Sequence, residues 1–198
     1  MFALPAPRFD SEHAIEKTLL QRRSIREYAP GPITLEALSQ LLWAAQGITN
    51  PERGLRTAPS AGALFPLEVY AVVGEVMGLD AGVYKYHPHS HALMPLAAGD
   101  LRDSLAKAAL DQEWVTSAAV DIVLAAIYRR TTWKYGERGI QYVHMEIGAV
   151  AQNVYLQGVA LGLGTVFVGA FMNEQVQALM RMPAEEQPLC ILPIGRPA

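Results

Sequence analysis

The segment "RGIQYVHMEIGAVAQNVYLQGVALGLGTVFVGAF", Arg138 to Phe171, decides how this chain folds. Ile140, Val143, Ile147, Val150, Val154 and Leu161 recur in it at helical spacing, which predicts one long helix. No charged residue occurs from Ile147 through Asn173, a run long enough to raise the question of a membrane span. Gln152, Asn153 and Gln157 interrupt it, and Gly158, Gly162, Gly164 and Gly169 punctuate its second half. A buried helix followed by a buried extended segment accounts for that pattern. Because the helix is apolar on nearly every face, it is expected at the centre of the molecule or between two subunits. The helix comes before the glycine-rich "GLGTVFVG", whereas a dinucleotide fingerprint follows a strand and opens a helix. A Rossmann site is excluded by that order.

The flanking sequence supplies strands. "AAVDIVLAAIY" (118–128) is an apolar, β-branched run that reads as a central buried strand. "LEVYAVVG" (67–74), "GTVFVGAF" (164–171) and "PLCILPIG" (188–195) read as further strands, and "GVYKYHPHSHALMPL" (82–96) as a hairpin turning at Pro88. Helices are predicted from Ser11 to about Arg23, after Thr34, within "AGDLRDSLAKAAL" (98–110) and at "NEQVQALM" (173–180). Between the second helix and the first long strand lies "ITNPERGLRTAPSAGALFP" (48–66), a polar loop of a length usually kept for function. No repeat or linker divides residues 1–198, so the expectation is one α+β domain with a mixed or antiparallel sheet.

Composition narrows the partners. A net charge of −3 over 198 residues lacks the basic stripe of a nucleic-acid protein. Cys190 is the only cysteine, which rules out an intrachain disulfide and fits a reducing cytoplasm. "MFALPAPRFDSEH" shows no basic region leading into an apolar one, so no signal peptide is expected. A soluble protein is expected, with no membrane or nucleic-acid partner.

Three stretches could carry chemistry. In "LLQRRSIREYAP" (19–30), Arg22 and Arg26 are four apart and share a side in either a helix or a strand. With Ser24 they could clamp a phosphate, or they could be a solvated helix end complementing its dipole. "PSAGAL" (59–64) has neither the G-x-S-x-G frame nor the leading strand of a nucleophile elbow. His87, His89 and His91 alternate, but Pro88 places them at a hairpin tip rather than on a straight metal-binding strand. His144 reads as a satisfied core or interface histidine, and Glu146 as an acid reaching solvent or a partner. Gly162, Gly164 and Gly169 would let the backbone approach something flat.

With "RRSIREY", "PSAGALFPLEVYAVV", "AQNVYLQGVALGLGTVFVGAF" and "ILPIGRP" in this order, nearly the whole chain resembles the FMN-dependent nitroreductase family. The "PSAG" block and "GVYKYHPHSHAL" most resemble the branch with azoline (thiazoline/oxazoline) dehydrogenases and their stand-alone relatives. The resemblance implies a nitroreductase-like α+β fold and a homodimer with FMN at the interface, the long helix at its centre. It places Arg22, Arg23 and Ser24 at the flavin phosphate and Arg26 near flavin N1 and O2. There a fixed cation would stabilise the reduced ring. Pro59, Ser60, Ala61 and Gly62 would enter from the partner subunit, Val168, Gly169 and Ala170 would face N5, and Arg196 would add a phosphate contact. Two positions depart from the family pattern: Gly169 stands where an acid is usual, and Ala63 where an asparagine is usual. Lys134 and Tyr135 match a pair implied to move protons in azoline dehydrogenases, although a plain surface loop would read the same way. The implied activity is transfer of two electrons through flavin N5, from NAD(P)H to nitroaromatic or quinone-like acceptors. The alternatives are oxidation of azoline heterocycles in peptides, or a flavin-binding redox sensor or cofactor store without turnover.

Overall fold

Val120–Ala126 is buried on both faces along its whole length in the structure, a computed structural model that describes residues 1–198. Its even residues enter one apolar cluster with Leu38, Leu42, Val143, Val150 and Val154. Val123 and Ala125 enter a second cluster with Leu105, Val115, Val176 and Met180. The two-residue period of a strand thus joins two cores across one sheet.

In chain order the elements are β1 (Phe2–Ala3), α1 (Ile15–Gln21), β2 (Tyr28–Ala29), β3 (Ile33–Thr34), α2 (Leu35–Gln46), β4 (Ile48–Asn50), β5 (Leu55–Arg56), β6 (Leu67–Val73), β7 (Val76–Met77), β8 (Gly82–His87) and β9 (Ala92–Ala98). There follow α3 (Arg102–Ala108), α4 (Glu113–Ser117), β10 (Val120–Ala126), α5 (Arg129–Tyr135), α6 (Arg138–Ala160), β11 (Gly164–Thr165), α7 (Asn173–Leu179) and β12 (Gln187–Pro197). The main sheet runs β1-β9-β8-β6-β10-β12-β11, with β2 also on β12, and its neighbours pair antiparallel. The α+β expectation, with an antiparallel main sheet and a long helix packed on it, is met.

Thr34 caps α2 as predicted, its side chain accepting from the Ala37 N–H. The uncharged run divides at Leu161–Leu163 into α6 and β11, and no helix is long and apolar enough to cross a membrane.

Four expectations are corrected. The first helix begins at Ile15, not Ser11, because the Ser11 hydroxyl closes a local turn on the His13 N–H. "GTVFVGAF" is a strand only at Gly164–Thr165, and beyond it a single bridge joins Val168 to Ile191. The hairpin turns at Pro88, yet His91 swings inward, its Nε2 2.7 Å from Ser39 Oγ and its Nδ1 2.9 Å from Tyr86 Oη. No group of residues is arranged to hold a metal, and burial lowers the pKa of His91. Finally, within this chain α6 buries one face only: Ile140 and Met145 lie on its exposed side, and His144 is exposed with its Nε2 2.7 Å from Tyr128 Oη, which removes the core alternative for His144 and leaves the subunit-interface one.

Candidate active site

The arginine segment leaves α1 and lies against β11. Ser24 forms a parallel bridge with Thr165, and Ile25 N–H donates to the Thr165 carbonyl at 2.9 Å. Gly164 permits this approach, since a Cβ there would meet Ile25 side-chain atoms at 2.7 Å. Its small size is therefore used within the chain rather than toward a ligand, a correction to the sequence reading.

Tyr155 of α6 stands behind this junction. Its Oη accepts the Phe167 N–H at 2.7 Å and lies 3.2 Å from Ser24 Oγ. The Arg22 guanidinium sits 5.3 Å from the Tyr155 ring centroid. Arg26 lies over the ring of Trp114, 5.6 Å from its centroid. Two residues before Trp114, Gln112 donates to the Ala170 carbonyl at 2.9 Å. The start of α4 thus braces both Arg26 and the 168–170 segment, a link the sequence concealed because α4 is a five-residue helix with no periodic signal.

The guanidiniums differ in availability. Arg22 and Arg26 have no carboxylate partner. Arg23 folds back on the carbonyls of Leu20 and Arg22, closing the end of α1. Arg196 donates to the Pro32 carbonyl at 3.0 Å. Along 168–170, the Val168 amide is committed to Ile191, which leaves Gly169 and Ala170 with exposed amides that find no acceptor in the chain. Two free guanidiniums, a hydroxyl and two free amides along one junction form a donor set suited to an anionic, planar cofactor.

The second group of residues lies elsewhere. Pro59–Gly62 lead into a sharp tip with left-handed backbone at Gly62, Ala63 and Phe65. Ser60 Oγ accepts the Phe65 N–H at 2.9 Å. Arg130 holds the end of the loop through the Phe65 carbonyl at 3.2 Å and Glu68 at 2.6 Å. A Cβ at Gly62 would stand 2.8 Å from Tyr135 Oη and 3.0 Å from Lys134 Nζ, so both polar ends converge on the loop tip. The expected pair and the expected loop are thereby brought together at the end of α5, a short helix for which the sequence offered a plain surface loop as the alternative. Tyr135 is further set by an edge-on contact with Tyr142, centroids 5.1 Å apart.

Glu146 does not reach solvent. It is 4% exposed, and burial raises its pKa against the opposing pull of Ser60, Gln46 and Arg56. This carboxyl lies under the loop, so of the two expectations, solvent or a partner, the solvent-facing one is removed.

The structure does not bring the two groups together within one chain. Thr57 meets Asn153, Ser60 meets Glu146 and Gly62 meets Lys134 and Tyr135, so the loop runs toward the start of α6. Tyr155 and the arginine junction sit near its other end, nine residues and about 14 Å along the helix axis beyond Glu146.

Comparison with known proteins agrees with this architecture. Residues 19–196 match the Nitroreductase family. A Methanocaldococcus jannaschii protein named "Putative nitroreductase MJ1384" is 48% identical over 93% of this chain and 92% of its own length. A crystal structure from Ralstonia eutropha, described in the same two words, superposes with a TM-score of 0.86 at 31% identity, covering 100% of this chain and 89% of that one. The microcin B17-processing protein McbC of Escherichia coli is 28% identical over 76% of this chain, and the match spans 57% of its length. The chain is a member of the nitroreductase family and, with it, an oxidoreductase.

Proposed function

We propose that this single-domain protein binds FMN and passes two electrons through flavin N5, taking them from NAD(P)H and delivering them to nitroaromatic or quinone-like acceptors. The observation that carries this reading is the arginine junction, where free guanidiniums, Ser24 and the free amides of Gly169 and Ala170 share one edge. When bound, the flavin supplies the two-electron carrier, chemistry that no side chain of this chain can provide. Arg22 and Ser24 hold the phosphate, with Arg23 and Arg196 nearby once they leave their backbone carbonyls. Arg26 sets positive charge beside the ring, and Gly169 and Ala170 donate toward its reactive edge while Val168 anchors their segment to the sheet. Anaerobic stopped-flow reduction of the FMN-loaded protein by NADH and by NADPH tests this. Bleaching within seconds is expected with at least one nucleotide, and protein that takes up no FMN would refute the reading.

A homodimer completes the site. The separation of Pro59, Ser60, Ala61 and Gly62 from the arginine junction supports a loop that serves the partner's cofactor. Exposed Leu19, Leu20, Ile140 and Met145 supply apolar surface for such an interface. Light scattering at micromolar concentration is expected to give twice the chain mass.

The convergence of Lys134 and Tyr135 on Gly62 favours a second reading, dehydrogenation of azoline heterocycles, in line with the resemblance to McbC. In that role Lys134 and Tyr135 move the substrate proton. Tyr135→Phe is then expected to lower kcat about 100-fold or more with FMN still bound, and unchanged turnover of an azoline substrate removes this reading. Bound FMN that neither nucleotide can reduce would instead indicate a redox sensor or cofactor store.

A further inference from the structure

We infer that Tyr155 is the positioning residue that couples the two halves of the cofactor site, through a directed hydrogen-bond chain from the Phe167 amide to Ser24. The inference rests on the flavin reading above and adds a specific device to it. Phe167 N–H can only donate, so Tyr155 Oη is its acceptor at 2.7 Å. The phenol proton is then free to point at Ser24 Oγ, 3.2 Å away. Ser24 accepts it, and its own proton is released outward toward an anion. Each link polarises the next, so the chain presents Ser24 as a donor, the role a phosphate requires.

The same phenol fixes the amide directly before Val168, whose own N–H is tied to Ile191. Two consecutive amides are thus turned inward, and Gly169 and Ala170 are the next to face out. The Arg22 guanidinium on the Tyr155 ring adds a third part of the site to the same side chain. Tyr155 is 9% exposed, so it acts from behind the site without touching the ligand.

The test compares wild type, Tyr155→Phe, Ser24→Ala and the double variant in titrations with FMN and with riboflavin, which lacks the phosphate. Each single variant is expected to weaken FMN about 5- to 20-fold and riboflavin by less than about 2-fold. The double variant is expected to be no weaker than the poorer single one, because both break one chain. Without any flavin, amide exchange at Phe167 should rise about 10-fold or more in Tyr155→Phe. An unchanged preference for FMN over riboflavin, additive losses, or unaltered Phe167 exchange overturns the inference. Wild type that binds neither flavin defeats the flavin reading instead, and the exchange measurement still judges the Tyr155 link. Should Tyr155→Phe fail to fold, exposed Ser24 decides: Ser24→Ala that keeps the FMN preference overturns the inference, and its loss supports it.

Discussion

Gly164→Val is expected to destabilise the protein by about 3 kcal/mol and to weaken FMN binding about 10-fold or more. The sign runs against ordinary expectation. Valine suits a strand better than glycine, and a glycine with unstrained backbone usually gains stability on substitution. Gly164 has no left-handed φ, so backbone freedom is not the reason for its presence. The reason is Ile25, whose Cβ and Cγ1 stand 2.7 Å from any Cβ at this position. Gly164 is also paired to Gly195 on β12, so it cannot retreat, and the arginine segment has to move instead. Urea unfolding and FMN titration measure the two effects. A variant of wild-type stability with full affinity would show that the segment yields freely and that the junction is not the binding site.

Asp121→Val is expected to stabilise the protein, by about 1–3 kcal/mol at pH 8 and by less at pH 5. Asp121 is the second residue of β10, opposite Val72 and Pro193. It is fully buried, and neither carboxylate oxygen has a partner. The guanidinium of Arg102 is the only favourable charge acting on it, and Arg102 is already bonded to Asp100, Glu75 and the Ala118 carbonyl. Burial accordingly pushes the Asp121 carboxyl well above the ordinary carboxylate range. The folded chain then holds a proton that the unfolded chain gives up. Stability is complete below the unfolded pKa of about 3.9 and is lost as pH rises above it toward the folded value. Valine removes both the titration and the unpaired oxygens, so its advantage grows with pH. Chemical denaturation of both proteins from pH 5 to 8 checks this, and parallel stability curves would show that Asp121 does not titrate differently on folding.

Much of the site could be read from the chain because its parts are short runs with local signatures. "RRSIREY" placed Arg22 and Arg26 on one side whatever the local conformation, and the structure finds that segment extended beside β11 with both arginines free of carboxylates. Periodicity found α6, whose packed face recurs at every turn. It missed α4 and α5, which span five and seven residues, because one or two turns hold too few apolar positions to show a period. With α4 went Gln112 and Trp114, and with α5 the reason Lys134 and Tyr135 point at Gly62.

The amino-acid sequence by itself determined the α+β class, the buried central strand, the break between α6 and β11, and the residue types able to hold an anionic cofactor. These follow from hydrophobic period and local turn chemistry, which act over a few residues. Only the tertiary structure decided that Gly164 makes room for Ile25, that Glu146 and His91 turn inward, and that Tyr155 joins Ser24 to Phe167 across 131 and 12 residues. It also decided that the "PSAG" loop and the arginine junction stand toward opposite ends of one helix. Such relations depend on which side chains meet when distant segments pack, and no local period encodes them.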